Sequence, residues 1–368
     1  MRKQHYILLL PVLLAFGVYS CKREAPLPVK SSFLATPVKP SDVFPASFGM
    51  PLIPKDNPLT EEGIYLGRML FYDPVLSLDS SISCASCHRQ EFAFGDPKTL
   101  SKGVFGLQGT RNAPPLYNLA WQRTFFWDAR QRRLRDLVFE PIQDHREMAM
   151  NVIRLEEKLR KLDRYQIAFR KAFGEEPNLH HMSLAMEQFL MTIVSANSKF
   201  DQFFPRNLNA FSPQERDGFL LFNGTPDSTT RPAIGADCFH CHGGVHAQAI
   251  DPSIGIVSNG LDDVLTDKGY GNITGKASDL GKFKSPSLRN LVYTAPYMHD
   301  GRFTTLEQVI DHYSDNLKFN APNLSPQLNH GNLHLQLTAA QKSALIAFLK
   351  TMTDSSLLTN KAYSNPFR

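Results

Sequence analysis

The chain contains the pentapeptide Cys-x-x-Cys-His twice, at positions 84–88 and 238–242. This pattern is typical of covalent c-type haem attachment, in which two thiols bond to the porphyrin and the adjacent histidine reaches the iron. Two knuckles that share one zinc ion, or a pair of redox dithiols, are the alternatives. The histidine after each second cysteine and the 154 positions between the copies argue against a compact zinc knuckle. The sequence therefore predicts two covalent haems held by Cys84, Cys87, His88, Cys238, Cys241 and His242.

The N-terminus predicts export. It begins Met-Arg-Lys and continues with an apolar stretch from Tyr6 to Tyr19, which is too short to span a membrane and is typical of a signal peptide. The four residues that end at Cys21 (Val-Tyr-Ser-Cys) resemble a bacterial lipobox. We therefore expect removal of residues 1–20 as a lipoprotein-type signal peptide, lipidation of Cys21, and a periplasmic protein tethered to a membrane. An ordinary secretory signal with an unused cysteine is the alternative, since Tyr19 is bulky for its position.

The cysteine and charge content argue against a structural disulfide and against a nucleic-acid-binding protein. Of the 5 cysteines, Cys21 alone lies outside the haem motifs, so no pair remains for a structural disulfide. The formal charge of +5 falls to +3 without residues 1–20, because Arg2 and Lys3 leave with them. Haem propionates would lower it further, and nothing in the composition indicates nucleic-acid binding. We expect membrane contact through the lipid anchor only, and the sequence leaves a homodimer open.

A weak internal repeat predicts the domain organisation. An apolar helical pattern begins at Thr60, 24 residues before Cys84, and a similar one begins at Ser212, 26 residues before Cys238. The second starts with a capping box formed with Glu215. Strand signals are sparse and the loops are long. We therefore predict a mainly α fold with two cytochrome c-like haem domains.

The predicted boundaries follow from this repeat. Residues 21–45 contain five prolines among lysines and serines, a composition typical of an extended tether, although the later half could equally be a strap packed on the surface. Residues 46–205 are assigned to an N-terminal haem domain and residues 206–368 to a C-terminal haem domain.

Three further helices are predicted from periodicity and caps. Asn151 as N-cap and Gly174 as C-cap enclose one apolar pattern. A second helix is expected over residues 184–194. A third begins at Thr338 and places leucine and isoleucine on one face.

The segments that follow each haem motif carry a more specific pattern. They read Arg-Asn-Ala-Pro at 111–114, Phe-Trp-Asp-Ala-Arg at 126–130, Glu-Met at 147–148, Ser-Leu-Arg-Asn at 287–290 and Thr-Ala-Pro-Tyr-Met-His-Asp-Gly at 294–301. With these motifs, in this order, the sequence resembles the bacterial dihaem cytochrome c peroxidase family, which includes the MauG-like enzymes. The resemblance runs from about Leu52 to Met352.

The resemblance implies roles for particular residues. The haem ligated by His88 corresponds to the peroxidatic centre, and the haem ligated by His242 to the electron-transfer centre. Trp127 corresponds to the tryptophan between the haems, where it relays electrons in the family, although a buried tryptophan is commonly just core. Glu147 and Pro141 correspond to the glutamate and proline of the distal pocket.

The resemblance also implies one calcium ion at the domain interface. Asn112, Thr294 and Pro296 correspond to the residues that hold it, the last two through their carbonyl oxygens.

Three positions depart from the peroxidase pattern. Val104 stands where many family members carry a distal histidine that ligates iron, so the resemblance implies a peroxidatic haem that is open without reduction. Leu137 replaces a glutamine of the distal pocket. Tyr313 stands where the peroxidases have an axial methionine, and the MauG-like branch has a tyrosine there. Spacing from His242 also allows Met298 as that ligand, His312 is adjacent, and another ligand or an open site is the remaining alternative.

Glu147 suits acid–base work on peroxide. Cleaving the O–O bond heterolytically requires a proton to move from one oxygen to the other, and a carboxylate beside the iron can take and return it, typically for about 10²–10⁴-fold in rate. Its charged neighbours at 144–146 would suit a solvated residue equally well. The match to the family favours the catalytic role.

The function predicted from the sequence is that of a dihaem c-type peroxidase. It would reduce hydrogen peroxide to water with electrons from a small cytochrome c, a cupredoxin or another small donor. A MauG-like, peroxide-dependent oxidase of a protein side chain is the first alternative, favoured by Tyr313 and Val104. A dihaem electron carrier without turnover is the second, favoured by Leu137.

Overall fold

The computed structural model describes residues 35–204, 206–226, 233–249 and 251–368. The predicted signal peptide, Cys21 and the first part of the predicted tether lie outside these residues. Within the described residues, no helix is both long and apolar enough to cross a membrane.

The described chain is mainly helical, as predicted. Its α-helices are α1 (Pro40–Val43), α2 (Glu61–Tyr72), α3 (Cys84–Cys87), α4 (Leu134–Leu137), α5 (Phe139–Gln143), α6 (Val152–Arg160), α7 (Asp163–Phe173), α8 (Leu179–Thr192), α9 (Lys199–Phe203), α10 (Pro213–Asn223), α11 (Phe239–His242), α12 (Pro252–Gly255), α13 (Gly271–Thr274), α14 (Leu306–Asp311) and α15 (Ala339–Lys350). Short 3₁₀ turns lie at Ala46–Phe48, Pro74–Leu76, Gln90–Phe92, Leu119–Trp121, Leu208–Ala210, Ala277–Asp279, Pro326–Leu328 and Ser355–Leu358. A π-helical turn, His312–Asn316, continues α14.

The sheet content of the described residues is one short antiparallel pair. Strand β1 (Ile256–Val257) pairs with β2 (Phe283–Lys284), with Ile256 opposite Lys284. The sparse strand signals of the sequence therefore agree with the structure.

The same helix crossing occurs twice. Helix α2 packs on α8, and α10 packs on α15. At the first crossing, a Cβ on Gly67 would lie 2.0 Å from the Ala185 carbonyl oxygen. At the second, a Cβ on Gly218 would lie 2.0 Å from the Ala344 carbonyl oxygen. Each glycine thus allows two helix backbones to approach closely, and each of α2 and α10 leads into a haem motif.

One predicted capping box is confirmed, and two predicted helix starts are capped as well. The Thr60 hydroxyl accepts a hydrogen bond from the Gly63 amide at the start of α2. Ser212 forms the predicted capping box with Glu215 at α10, and Thr338 forms one at α15.

The single helix predicted between Asn151 and Gly174 is wrong. Asn151 does cap α6, and Gly174 ends α7, but the chain leaves the helix at Leu162, which adopts φ −107° and ψ 111°. No glycine or proline marks this break. Both helices bury apolar residues in one core, among them Leu159 and Phe169, so the apolar period continues across it. Helix α8 also begins earlier than predicted, because Asn178 caps it.

Buried apolar side chains form two cores. The first is built from residues 44–193 together with Leu357, and the second from residues 200–352. After Asp354 the chain returns to the first core, where the Gln90 side chain donates hydrogen bonds to the carbonyls of Leu357 and Asn360 at 3.1 and 2.9 Å.

Several partly or fully buried polar contacts join the two parts of the chain. Arg111 pairs with Asp267 at 2.7 Å, and the Asn112 amide donates to the His299 carbonyl at 2.8 Å. The Tyr117 hydroxyl donates to the Arg289 carbonyl. These contacts hold the segments around the two haem motifs side by side.

Candidate active site

The first Cys-x-x-Cys-His motif faces a cavity of about 960 Å³. This volume is at the upper end of the range typical of ligand-binding sites. The residues that line it include Cys84, Cys87, His88, Trp127, Pro141 and Glu147. The structure therefore brings the predicted attachment residues and the predicted distal residues of this haem to one cavity.

The His88 ring is oriented by a backbone carbonyl. A capping box formed by Ser83 and Ser86 begins α3, and His88 follows its last residue. The Nδ1 atom of His88 lies 3.1 Å from the Phe94 carbonyl oxygen. Burial lowers the pKa of His88, which favours the neutral ring. A neutral imidazole whose Nδ1 is held by a carbonyl presents Nε2 to a metal.

The second motif faces a narrower cavity of about 190 Å³. Cys238, Cys241 and His242 line it. The Nδ1 atom of His242 lies 3.0 Å from the Pro286 carbonyl oxygen, and burial lowers the pKa of His242 to about 4. A backbone carbonyl beside Nδ1 therefore favours the same tautomer in His242 as in His88.

The cysteines fit covalent haem attachment better than the alternatives. None of the four forms a disulfide. Burial raises the pKa of Cys84 and of Cys238 to about 12, whereas a redox Cys-x-x-Cys pair requires a lowered pKa. In the described part of the chain, no group of three or more His, Cys, Asp or Glu side chains is placed to hold a metal ion. A zinc ion shared by the two motifs would need such a group.

Trp127 lies between the cavities and lines both of them. Its indole N–H donates to the Asn112 carbonyl oxygen at 2.8 Å, and its own carbonyl accepts from the Lys284 amide at 2.7 Å. The ring is therefore held at the shared wall.

Glu147 opens onto the first cavity from the loop after α5. Its amide donates to the Asp144 carbonyl at 3.0 Å, and its carbonyl accepts from the Val104 amide at 2.9 Å. The side chain is accessible from the cavity, yet the surrounding walls desolvate it, and this desolvation, with the nearby Asp144, raises its pKa to about 7. A carboxyl group with this pKa can both accept and donate a proton near neutral pH.

The loop before the Arg-Asn-Ala-Pro motif packs against the backbone of Glu147. A Cβ on Gly103 would lie 2.1 Å from the Arg146 carbonyl oxygen, so only glycine fits there. Ser101, Lys102 and Gly103 line the cavity, whereas the Val104 side chain is not among the lining residues. Leu137, the other departure from the peroxidase pattern on this side, does line it.

The three predicted calcium residues line the second cavity together: Asn112, Thr294 and Pro296. The Asn112 side-chain amide donates to the carbonyls of Lys98 and Thr99 at 3.0 and 3.3 Å. This orientation leaves its side-chain oxygen as the atom that could bind a cation.

Two of the three candidate axial ligands face the second haem site. Tyr313 and Met298 both line the second cavity. The Asn259 side chain contacts each of them, since its Nδ2 lies 3.6 Å from the Met298 sulfur and it hydrogen-bonds Tyr313. Burial raises the pKa of the Tyr313 hydroxyl to about 12.

His312 is directed elsewhere. Its Nε2 lies 3.0 Å from the Asn259 carbonyl oxygen, and its side chain is buried and is not among the residues that line the cavity. Of the named candidates Tyr313 and Met298 therefore remain, beside an open site or another ligand such as one of the histidines that also line the cavity.

Two further charged side chains belong to the cavity walls, and the sequence signals only the first of them, which ends the Phe-Trp-Asp-Ala-Arg motif. Arg130 pairs with Asp128 at 3.0 Å and with Glu140 at 2.9 Å beside the first cavity. Lys284 lines both cavities. The sequence signal for Lys284, a lysine before Ser-Pro-Ser-Leu-Arg-Asn, does not distinguish it from a surface lysine.

Comparison with known proteins gives the same family as the sequence motifs. Residues 61–209 match the family described as di-haem cytochrome c peroxidase. The methylamine utilization protein MauG of Methylorubrum extorquens is 33% identical over 316 residues, which cover 81% of this chain and 80% of that protein. The cytochrome c551 peroxidase of Nitrosomonas europaea is 32% identical, over 78% of this chain and 79% of that protein. A crystal structure of a MauG-like protein associated with microbial copper homeostasis superposes with a TM-score of 0.79 at 32% identity, and covers 88% of this chain and 99% of that one.

Proposed function

This chain belongs to the di-haem cytochrome c peroxidase family, and we propose that it reduces hydrogen peroxide to water. The reaction takes up two electrons and two protons per peroxide and yields two waters. Bound haem supplies the iron that binds and reduces peroxide at one site and that delivers electrons from the other. The observation that carries the proposal is a carboxyl group with a pKa near neutrality, Glu147, in the same cavity as His88.

In this proposal the two haems are held in two cytochrome c-like domains. The repeated glycine crossing of α2 with α8 and of α10 with α15 supports this division, as do the two cores. Cys84 and Cys87 attach the peroxidatic haem, and Cys238 and Cys241 attach the electron-transfer haem. His88 and His242 would hold the irons, since the Nδ1 atom of each ring lies beside a backbone carbonyl and leaves Nε2 available.

Glu147 moves the proton at the peroxidatic site. As a carboxylate it would take a proton from one oxygen of the bound peroxide, and as an acid it would return that proton to the other oxygen, which would leave as water. Pro141 and Leu137 shape the apolar part of the same wall. Leu137 donates no hydrogen bond to peroxide, so we assign the proton transfer to Glu147 rather than to a pair of polar residues.

Trp127 connects the sites. Its ring separates the cavities, and an aromatic π system there provides a route for electrons from the second haem to the first. We assign a calcium ion to Asn112, Thr294 and Pro296. Asn112 also accepts the Trp127 N–H, so bound calcium would help to fix the tryptophan.

The proposed setting is the periplasm, with residues 1–20 removed and Cys21 lipidated. Electrons would come from a small cytochrome c, a cupredoxin or another small donor.

A MauG-like oxidation of a protein side chain is the second candidate. It is favoured by Tyr313, which faces the second haem site, and by the absence of a ligating side chain at Val104. The similarity to MauG of Methylorubrum extorquens also supports it.

Peroxide titration of the purified diferric protein separates these functions. A peroxidase oxidises many equivalents of a reduced cytochrome or small donor per haem pair. A MauG-like enzyme reacts with peroxide but turns over the small donor poorly. A carrier leaves peroxide unconsumed, and that result would refute an enzymatic function. Mass spectrometry of the denatured protein, with two haem additions expected, gives the haem count for each sample.

A further inference from the structure

Lys284 occupies the wall that separates the two haem cavities. It ends strand β2, lines both cavities and contacts the backbone of Trp127 through its amide, 2.7 Å from the Trp127 carbonyl oxygen. No motif of the sequence assigns it a role.

The ammonium group of Lys284 has only neutral partners. Its Nζ donates to Gln122 Oε1 at 2.7 Å and lies 3.4 Å from the Thr124 carbonyl oxygen. Within the described residues, no carboxylate lies within ion-pair distance of Lys284. By contrast, Arg111 and Arg130, which also line the first cavity, each pair with two carboxylates.

A cation in this position requires an anion. Removing an ammonium group from water without a counter-charge is strongly unfavourable. Desolvation lowers the pKa of Lys284 to about 8, the direction expected for an ammonium group that has no carboxylate beside it. The cavities that Lys284 faces are those of the two haem motifs, and every haem carries propionate carboxylates.

We propose that Lys284 binds a haem propionate and places positive charge between the two haems, beside Trp127. The proposal rests on the assignment of two covalent haems to these cavities. Reduction of a ferric haem adds one negative charge, and a nearby cation stabilises the reduced form more than the oxidised form. Lys284 therefore raises the reduction potential of the haem it contacts and favours electron transfer along the route through Trp127.

The test is a potentiometric titration of the holoprotein without peroxide. Lys284→Met keeps most of the apolar stem and removes the charge, whereas Lys284→Arg keeps a cation. Lys282→Met is the matched control, because Lys282 lies two residues away, pairs with Asp279 at 3.5 Å and does not line either cavity. We expect a shift to lower potential of at least one haem in Lys284→Met, with near wild-type potentials in Lys284→Arg and Lys282→Met.

Unchanged potentials in a Lys284→Met protein that holds both haems would overturn the proposal. If that variant does not fold, Lys284→Gln, which retains a donor for Gln122 and Thr124, gives the same comparison. Resonance Raman spectra of wild type and Lys284→Arg provide a second measurement, in which the positive charge at position 284 is kept and only its chemical group changes. Propionate bending bands respond to a change of cationic partner, and identical bands would also overturn the proposal. Failure of the dihaem assignment is distinguishable, since it would appear as fewer than two haems by mass.

Discussion

The indole N–H of Trp127 donates to the backbone carbonyl of Asn112 at 2.8 Å, and both residues line both haem cavities. Asn112 is itself held from two directions, by His299 through its amide and by Lys98 and Thr99 through its side chain. The tryptophan is therefore fixed by a backbone atom at the junction of the two parts of the chain. A fixed ring between two redox sites keeps the electron-transfer distance constant, which a freely rotating side chain would not.

Removing the ionisable group of Glu147 tests its proton transfer. Glu147→Gln keeps the shape of the side chain but cannot move a proton, so kcat for peroxide should fall by about 10²-fold or more with both haems bound. The exposed Glu157→Gln on α6 is the control and should keep wild-type turnover. Equal kcat in Glu147→Gln and wild type would remove Glu147 from the mechanism.

The raised pKa of Glu147 predicts the direction of the pH dependence. In the proposed mechanism the carboxylate form takes the proton from peroxide, and the pKa is raised to about 7, so kcat/KM should rise with pH through this region. Below it the group is protonated and cannot act as the base. The measurement is a pH profile of kcat/KM from pH 5 to 9. Its acid limb should disappear in Glu147→Gln, and a limb that persists there belongs to another group.

The axial ligand of the second haem can be assigned by comparing Tyr313→Phe with Met298→Leu. If Tyr313 ligates the iron, Tyr313→Phe should change the spin state or bring in a replacement ligand. It should also raise the reduction potential, because an anionic oxygen stabilises ferric iron. Met298→Leu should leave the optical spectrum unchanged. The opposite outcome, in which only Met298→Leu alters the spectrum, would give the site to methionine.

The state of the peroxidatic iron follows from the loop that carries Val104. Valine cannot ligate iron, and its side chain is not among those that line the cavity, so the diferric protein should bind cyanide and react with peroxide as isolated. Optical titration before and after reduction checks this. If neither cyanide nor peroxide reacts with the protein before reduction, another side chain must ligate the iron. Lys102, which belongs to the same loop and lines the cavity, is then the residue to replace, as Lys102→Met.

The glycine at the second helix crossing should be intolerant of even a methyl group. A Cβ on Gly218 would overlap the Ala344 carbonyl oxygen at 2.0 Å, and such overpacking typically costs about 1–3 kcal/mol. Gly218→Ala should therefore lower the free energy of unfolding, measured by chemical denaturation of the holoprotein. Gly109→Ala is the control, since its nearest neighbour would be 3.8 Å away. Equal stability of the two variants would show that α10 and α15 can separate without loss.

The helical part of the fold was readable where the signal is local. A cap such as Thr60 or Ser212 acts on an amide three residues away, so it is visible in the sequence and is found in the structure. The break at Leu162 was not readable, because its cause is the packing of α6 and α7 on one core and not a residue that disfavours helix. The apolar period shows which face of a helix is buried. It does not reveal a break such as the one at Leu162, after which the apolar residues of the next helix enter the same core.

By itself the sequence determined the haem-attachment chemistry and the family. Thioether attachment and proximal ligation require cysteines and a histidine at adjacent positions, so Cys84–Cys87 and His88 carry that information without any fold. Only the tertiary structure decided which residues share a wall. Trp127 and Lys284 are 157 positions apart, yet they meet through a backbone hydrogen bond between the two cavities. The desolvation that raises the pKa of Glu147 is likewise a property of the whole cavity. Contacts and burial of this kind depend on the summed packing of distant segments, which no local pattern records.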